Sequence, residues 1–277
     1  MTPLTATVEG IGFWASGLPD WAAARAYVLG APPVDGAPAR PSPQLLAPNE
    51  RRRAPDTVAL ALDVALAACE AAGRAPRDLP SVFASTHGDL GITDYMCSTL
   101  AENPRAVSPT RFHNSVHNAA AGYWTIGAGC TQATTAISAY DATFAEGLIE
   151  ALVQLHAGQD AVLLAAYDGH AGGPLAPLAR SEGLLGGALV LSREAKADAP
   201  RITVDIVPIT VESGHGRLAQ LAGRNAMAPM LPLFEALALD GGDVVLQAGQ
   251  NRAVRVRISV PSIAAHGAPV AAGALDG

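Results

Sequence analysis

Cysteine is scarce in this chain: Cys69, Cys97 and Cys130 are its only three, far apart and without CxxC spacing. That excludes a disulfide framework and a thiolate zinc site, and it fits a reducing compartment. Basic charge is also in deficit, with 18 Lys plus Arg against 25 Asp plus Glu and a net charge of -7. No field of this sign gathers phosphate backbones or anionic lipid, so nucleic acid and membrane surfaces are not expected partners. Long apolar runs are missing too, because charges interrupt the alanine-rich stretches too often for a bilayer span. Met1 to Gly12 carries no basic residue and no apolar run of signal-peptide type, so a soluble, cytoplasmic protein is expected.

What is present is apolar and orderly. Hydrophobic residues make up 49% of 277 positions, enough to bury the core of one large α/β domain or two small ones. Thr5 to Trp14 alternates as an opening strand, and the proline-rich stretch from Pro32 to Pro48 holds neither ladder nor helix, so it reads as a surface excursion. Asp56 is placed to cap a helix through Ala72, with Val58, Leu62, Ala65, Leu66 and Cys69 on one face and Gly73 as its stop. Ser81 to Ser85 predicts a buried strand, and a helix follows from about Thr93 to Leu100. Asn103 to Thr110 reads as loop, and Ser115 to Ala128, with Tyr123, Trp124 and Ile126 among small residues, as a tightly packed buried helix.

Gln132 to Ala139 is rich in Thr and Ile and predicts a strand. Asp141 can then cap a helix to Ala157, with Phe144, Leu148, Ala151, Leu152 and Leu155 inward and Gly158 ending it. Ala161 to Ala166 and Gly186 to Ser192 are continuous apolar runs of the kind a parallel sheet buries on both faces. Arg201 to Val211 and Ala253 to Val260 alternate as further strands, with a helix over Met230 to Leu239 between them. Residues 262–277 are rich in Ala, Gly and Pro and are expected to be disordered. No internal repeat is present.

The run Val107-Ser108-Pro109-Thr110-Arg111-Phe112 and the run Ser115-Val116-His117-Asn118-Ala119-Ala120-Ala121-Gly122 resemble the amino-terminal half of β-ketoacyl synthases, in the thiolase superfamily. The order of later segments is similar as well: Thr134 to Ala139 leading into a helix, then Asp160 to Ala166, then Glu182-Gly183 with Gly186 to Leu191. As a set these span roughly Thr5 to Ser192, and they look most like the short synthase-like proteins of aryl polyene pathways. The resemblance implies an α/β fold. It would be a thiolase-like half, with a mostly parallel central sheet, helices on its faces, and extra C-terminal strands covering the sheet edge. It also implies a ketosynthase-like domain over 1–195 and a strand and helix extension over 196–261 packing on the same domain. No cofactor is implied.

Two departures set the functional expectation. In the family an Ala-Cys pair stands between the Thr-rich strand and the next helix, whereas here Ala139 is followed by Tyr140. A condensing enzyme needs a thiolate activated by the helix N-terminus, and a phenol, with an ordinary pKa of about 10, is a poor substitute. The family's histidines come from a carboxy-terminal half that has no counterpart here, so His170, His215 and His266 inherit no role. What remains is similar to a chain-length factor, which lacks the nucleophile and bounds the acyl tunnel of an active synthase. By that resemblance Thr134, Thr135, Ile137, Tyr140 and Phe144 are the expected tunnel or interface residues, and the Gln132 to Ala139 strand pairs across a dimer. The expected partner is a full-length β-ketoacyl synthase, or a second copy, with an acyl carrier protein also possible.

Rival sites stand beside this reading. Cys130, flanked by Gly127, Gly129 and Thr131, is the alternative nucleophile of a stand-alone acyl-thioester enzyme if His113 or His117 approaches it. Its ordinary reading, shared with Cys69 and Cys97, is a small buried hydrophobe. His113 and His117, four apart, have metal-ligand spacing with Asp89 or Asp94 as added carboxylates, but hydrogen-bonded packing is the simpler account. Gly169 to Gly173 lacks the Lys and Ser or Thr of a phosphate loop and reads as a flexible loop. Arg51, Arg52 and Arg53 could meet a carrier protein or phosphopantetheine, though a solvated cluster is the ordinary explanation.

Overall fold

The computed structural model describes residues 3–208, 216–249 and 251–260. Apolar strands and amphipathic helices alternate from the start. They are β1 (Leu4–Ala15), α1 (Trp21–Val28), α2 (Pro48–Arg53), α3 (Asp56–Ala72), β2 (Ser81–Ala84), α4 (Leu90–Glu102), α5 (Pro109–Asn114), α6 (Ala119–Ala128), β3 (Thr134–Ile137) and α7 (Thr143–His156). The chain continues through β4 (Ala161–Asp168), β5 (Leu185–Ser192), β6 (Arg201–Val207), α8 (Arg217–Ala222), α9 (Leu231–Ala238), β7 (Gly242–Gln247) and β8 (Ala253–Ser259).

One eight-stranded sheet runs in the order β3-β2-β4-β5-β1-β6-β8-β7. β2 pairs in parallel with both β3 and β4. β5 runs against β4 and against β1, so β1 to β4 share one direction and β5 opposes them. β6, β8 and β7 continue from β1 as an antiparallel extension, the additional strands expected at that edge. β4 and β5 are buried at every position. They sit mid-sheet beneath helices on both faces, which is why they read as unbroken apolar runs.

The period of two along β4 sorts its side chains between two cores. Val162, Leu164 and Ala166 join Leu148, Leu152 and Leu155 of α7 and Phe234 of α9 on one face. Leu163, Ala165 and Tyr167 join Leu62 and Ala65 of α3 and Trp124 of α6 on the other. Removing any one of these large side chains to alanine costs about 2–5 kcal/mol. α3 lies directly on the β1 backbone: a Cβ at Gly12 would fall 2.0 Å from the Val64 carbonyl oxygen, and one at Gly10 would fall 2.1 Å from that of Ala68.

Several boundaries differ from the sequence expectation, each for a local reason. Asp56 is the first residue of α3 and not its cap; Pro55 occupies the cap, and the Asp56 carboxylate pairs with Arg40 at 2.9 Å. α4 begins earlier than expected because Asp89 caps it, accepting from the Ile92 amide at 2.9 Å. The stretch expected as loop ends in α5, capped by Ser108 with Pro109 in its first turn. α6 is shorter than expected and buries one face only, Ile126 pointing outward. Helices α1, α2 and α8 and strand β7 lie outside the sequence expectation: they are short, and β7 opens on Gly242 directly after Gly241, which masks its alternation. The end of the strand expected over Arg201 to Val211, His215, His266 and the tail over 262–277 lie outside the described residues.

Candidate functional site

Open α/β sheets present ligands and partners at the carboxyl ends of their parallel strands. Here those ends belong to β2, β3 and β4, and the turn leaving β3 is the most unusual of the three. Tyr140 adopts φ +53°, a conformation that bulky L-residues rarely occupy. It opens a single 3-10 turn, Tyr140 to Ala142, before α7 starts at Thr143. Asp141 therefore lies inside the turn and makes no side-chain cap, contrary to expectation. Thr143 organises the turn instead: its Oγ donates to the Tyr140 carbonyl at 2.6 Å and accepts from the Ala139 amide at 3.0 Å. Ser138 Oγ ties the strand exit to the neighbouring turn by donating to the Thr86 carbonyl at 3.0 Å.

Beneath this turn lies a buried polar knot. Asp168, the last residue of β4, accepts from Ser85 Oγ at 2.8 Å and from the amides of Thr86 and His87 at 2.9 and 3.2 Å. Burial pushes its carboxyl above the usual carboxylate range, against those hydrogen bonds, which favour the charge. Asn225 Nδ2 reaches the carbonyls of Asp168, Glu182 and Gly183 at 3.1–3.2 Å, joining the strand ends to the segment before α9. Ser181 Oγ donates to the Gly169 carbonyl at 2.6 Å and accepts from the Ala226 amide at 3.1 Å. The Gly169 to Gly173 segment is thus tied at its base. An acid closing an apolar strand run was the one sequence signal for this knot; Ser181 and Asn225 carry none.

Outside the knot an open cleft of about 1090 Å³ separates the 169–184 loop from the C-terminal extension. Asp141 stands on one lip, His170, Arg180 and Glu182 on the loop side, and Arg224, Pro232 and Val245 on the extension side. Arg224 pairs with Glu182 across it. The cleft could not be read from the sequence, since Glu182 and Arg224, which meet across it, are 42 residues apart.

The sequence-predicted residues separate into distinct places. Thr134, Thr135 and Ile137 lie half-buried on β3, the last strand of the sheet, whose outer edge has no strand partner among the described residues. Tyr140 follows them with 62% of its surface exposed. Phe144 is set apart from this group: it is buried in the core with its ring 6.2 Å from that of Phe234. Cys130 is 6% exposed, and its Sγ donates to the Leu79 carbonyl at 3.5 Å rather than to an imidazole. Cys69 is fully covered, its thiol pushed up to about 12 chiefly by burial. Cys97 corrects the expectation of a core residue, because α4 buries only Met96 and leaves Cys97 exposed.

The histidine pair does not share a helical face, since α5 ends at Asn114 and α6 starts at Ala119. His113 packs edge-on against Tyr123, while His117 Nε2 donates to the Ser85 carbonyl at 2.8 Å. Asp89 is spent on its cap and on Thr57 Oγ, 2.9 Å away, and Asp94 faces Gly173. No group of three His, Cys, Asp or Glu among the described residues is placed to hold a metal ion. In the arginine cluster Arg51 donates to the Leu46 carbonyl and Arg52 to Asn49, so both are engaged locally. No helix among the described residues is long and apolar enough to cross a membrane.

Solved structures share this architecture. A chain of the ketosynthase (ApeO) in complex with its chain length factor (ApeC) from Xenorhabdus doucetiae superposes with a TM-score of 0.71 at 22% identity, over 92% of this chain and 99% of that one. The ishigamide ketosynthase/chain length factor gives 0.70 at 15% identity, over 92% and 99%. A β-ketoacyl synthase from Burkholderia phymatum STM815 gives 0.58 at 14% identity, over 80% of this chain and 70% of that one. At these identities the likeness establishes the fold, which is thiolase-like. No curated protein matches the chain. The family model described as β-ketoacyl synthase, N-terminal domain, matches residues 21–248, most of the chain, and the protein belongs to that family.

Proposed function

We propose that this chain is a non-catalytic, chain-length-factor-like subunit that pairs with an active β-ketoacyl-acyl carrier protein synthase in polyketide, aryl polyene or fatty-acid-type chain elongation. One observation carries the reading: an exposed tyrosine, not a thiol, stands in the strand-to-helix turn where the family places its nucleophile. The open edge of β3, beside Tyr140, is the surface offered to the synthase, because an unpaired strand edge is satisfied by another chain. Thr134, Thr135, Ile137 and Tyr140 then form the interface or border the tunnel, and Phe144 supports that wall from within. The near-complete coverage of chains from two ketosynthase and chain length factor complexes supports the same role. Residues 1–195 supply the ketosynthase-like part in this reading, and 196–261 complete the same domain. Its setting is the cytoplasm.

A stand-alone acyl-thioester enzyme working through Cys130 is the weaker reading, since that sulfur is buried and bonded to a backbone carbonyl. A homodimer through β3 is the structural alternative. Co-expression with full-length synthases, followed by size-exclusion chromatography and thiol labelling, tests all three. The subunit reading expects a one-to-one complex with a synthase and inert buried thiols. An acyl-labelled Cys130 contradicts it in favour of the enzyme, and a stable two-fold particle that binds no synthase contradicts it in favour of the homodimer.

A further inference from the structure

We propose that Thr143 is a positioning residue: it locks Tyr140 in its left-handed conformation and so sets the ring in the face presented to the synthase, an inference that rests on the subunit reading above. A bulky residue with φ of +53° persists only where its surroundings over-determine it. The Tyr140 ring does not supply that determination, since it is mostly exposed. The backbone does, through one side chain. Thr143 is 1% exposed, and both hydrogen bonds of its hydroxyl point back into the turn, one to the Tyr140 carbonyl and one from the Ala139 amide. A hydroxyl serving as a helix cap would instead accept from amides ahead of it in the first turn. Ser138, bonded to Thr86, fixes the other flank.

The arrangement holds an aromatic ring outward, just past a strand edge that has no strand partner among the described residues, with the turn backbone held by Thr143 and Ser138 while the ring itself is mostly exposed. Rigid, exposed tyrosines are the residues that interfaces bury as anchors, and pre-organising one lowers the cost of ordering it on binding. The turn inherited from a nucleophile-bearing fold is here kept rigid for recognition.

Amide hydrogen exchange on the isolated chain and the dissociation constant for the co-expressed synthase, measured for the same variants, test this. Thr143→Val keeps the shape and removes the hydroxyl: the Ala139 amide should exchange at least about tenfold faster, and synthase affinity should fall by about tenfold, the scale of one lost hydrogen bond. Thr143→Ser restores both. Tyr140→Gly, which tolerates the left-handed backbone, should fold normally and lose affinity, and adding Thr143→Val to it should cost little more affinity, because the two act as a unit. The inference alone is overturned if Thr143→Val leaves Ala139 exchange or affinity unchanged while Tyr140→Gly weakens binding. A wild-type chain that binds no synthase overturns the subunit reading, and this inference with it. Should Thr143→Val fail to fold, exchange of Ala139 in the wild-type chain decides: the rate of a free amide rules out the lock.

Discussion

At the residue scale, the proposed subunit role rests on two departures that the family resemblance implies, the first being Tyr140 in the turn where that resemblance expects a thiol. The other, implied by the same resemblance, is the set of histidines that promote decarboxylation in the family; here His117 is bonded to the Ser85 carbonyl and His113 packs on Tyr123. Restoring the thiol alone therefore restores little. Tyr140→Cys, supplied with acyl and malonyl carrier proteins and no partner, should form no carbon-carbon bond above background by mass spectrometry. A second residue, Glu9, makes a separate prediction about stability. It sits at the bulge in β1, its carboxylate covered and held by Arg74 at 2.7 and 2.8 Å and by Lys196 at 3.0 Å. Burial alone would push its pKa up, but the contacts from Arg74 and Lys196 outweigh it and hold the value at about 2, against an ordinary 4.5. A depressed carboxylate stabilises the fold fully above pH 4.5, and that contribution disappears as the pH falls toward 2. Glu9→Gln should cost about 2 kcal/mol at pH 7, lowering the melting temperature by roughly 5 °C. It should also flatten the dependence of stability on pH across that acidic window, as thermal melts at stepped pH would show.

At the element scale, the fold turns on how closely α3 lies against β1. Gly10 and Gly12 remove the side chains that would keep the helix away, and this contact seats α3 under the sheet that carries the β2, β3 and β4 ends. Gly12→Ala places a methyl group inside the Val64 carbonyl and should cost about 3 kcal/mol. The measurement is a denaturant titration, expected to show a lower midpoint with an unchanged slope; an unaltered midpoint would mean that the helix shifts freely. These elements also show what sequence periodicity reveals. β4 and β5 were legible as unbroken apolar runs because both faces are covered, and α3 and α7 because their apolar stripes are long. β7 and α8 were not, since six residues give too few periods to distinguish a pattern from chance. The cap at Asp141 differs for another reason: propensity favours Asp there, but the 3-10 turn moves the helix start one residue on, so that Ala142 takes the cap position.

At the scale of the whole molecule, the family and its fold were legible because a set of short segments occurred in the right order, although no single one was distinctive. The site was legible in part. Tyr140 and the β3 residues are candidates that the sequence offers through the resemblance, whereas the Asp168, Ser181 and Asn225 knot and the adjoining cleft arise from residues brought together over long separations, which no local pattern encodes. What the described residues offer is a sheet that ends on β3 at one side and β7 at the other, an exposed aromatic following β3, and no thiol in the turn. In the proposed subunit role such a chain acts only through a partner, and condensation of acyl and malonyl carrier proteins can be followed with the purified chain, with the synthase, and with the two together. No product is expected from the chain alone; from the pair, product is expected whose length changes when Tyr140 is replaced. Product from the chain alone, abolished by Cys130→Ala, would contradict that role.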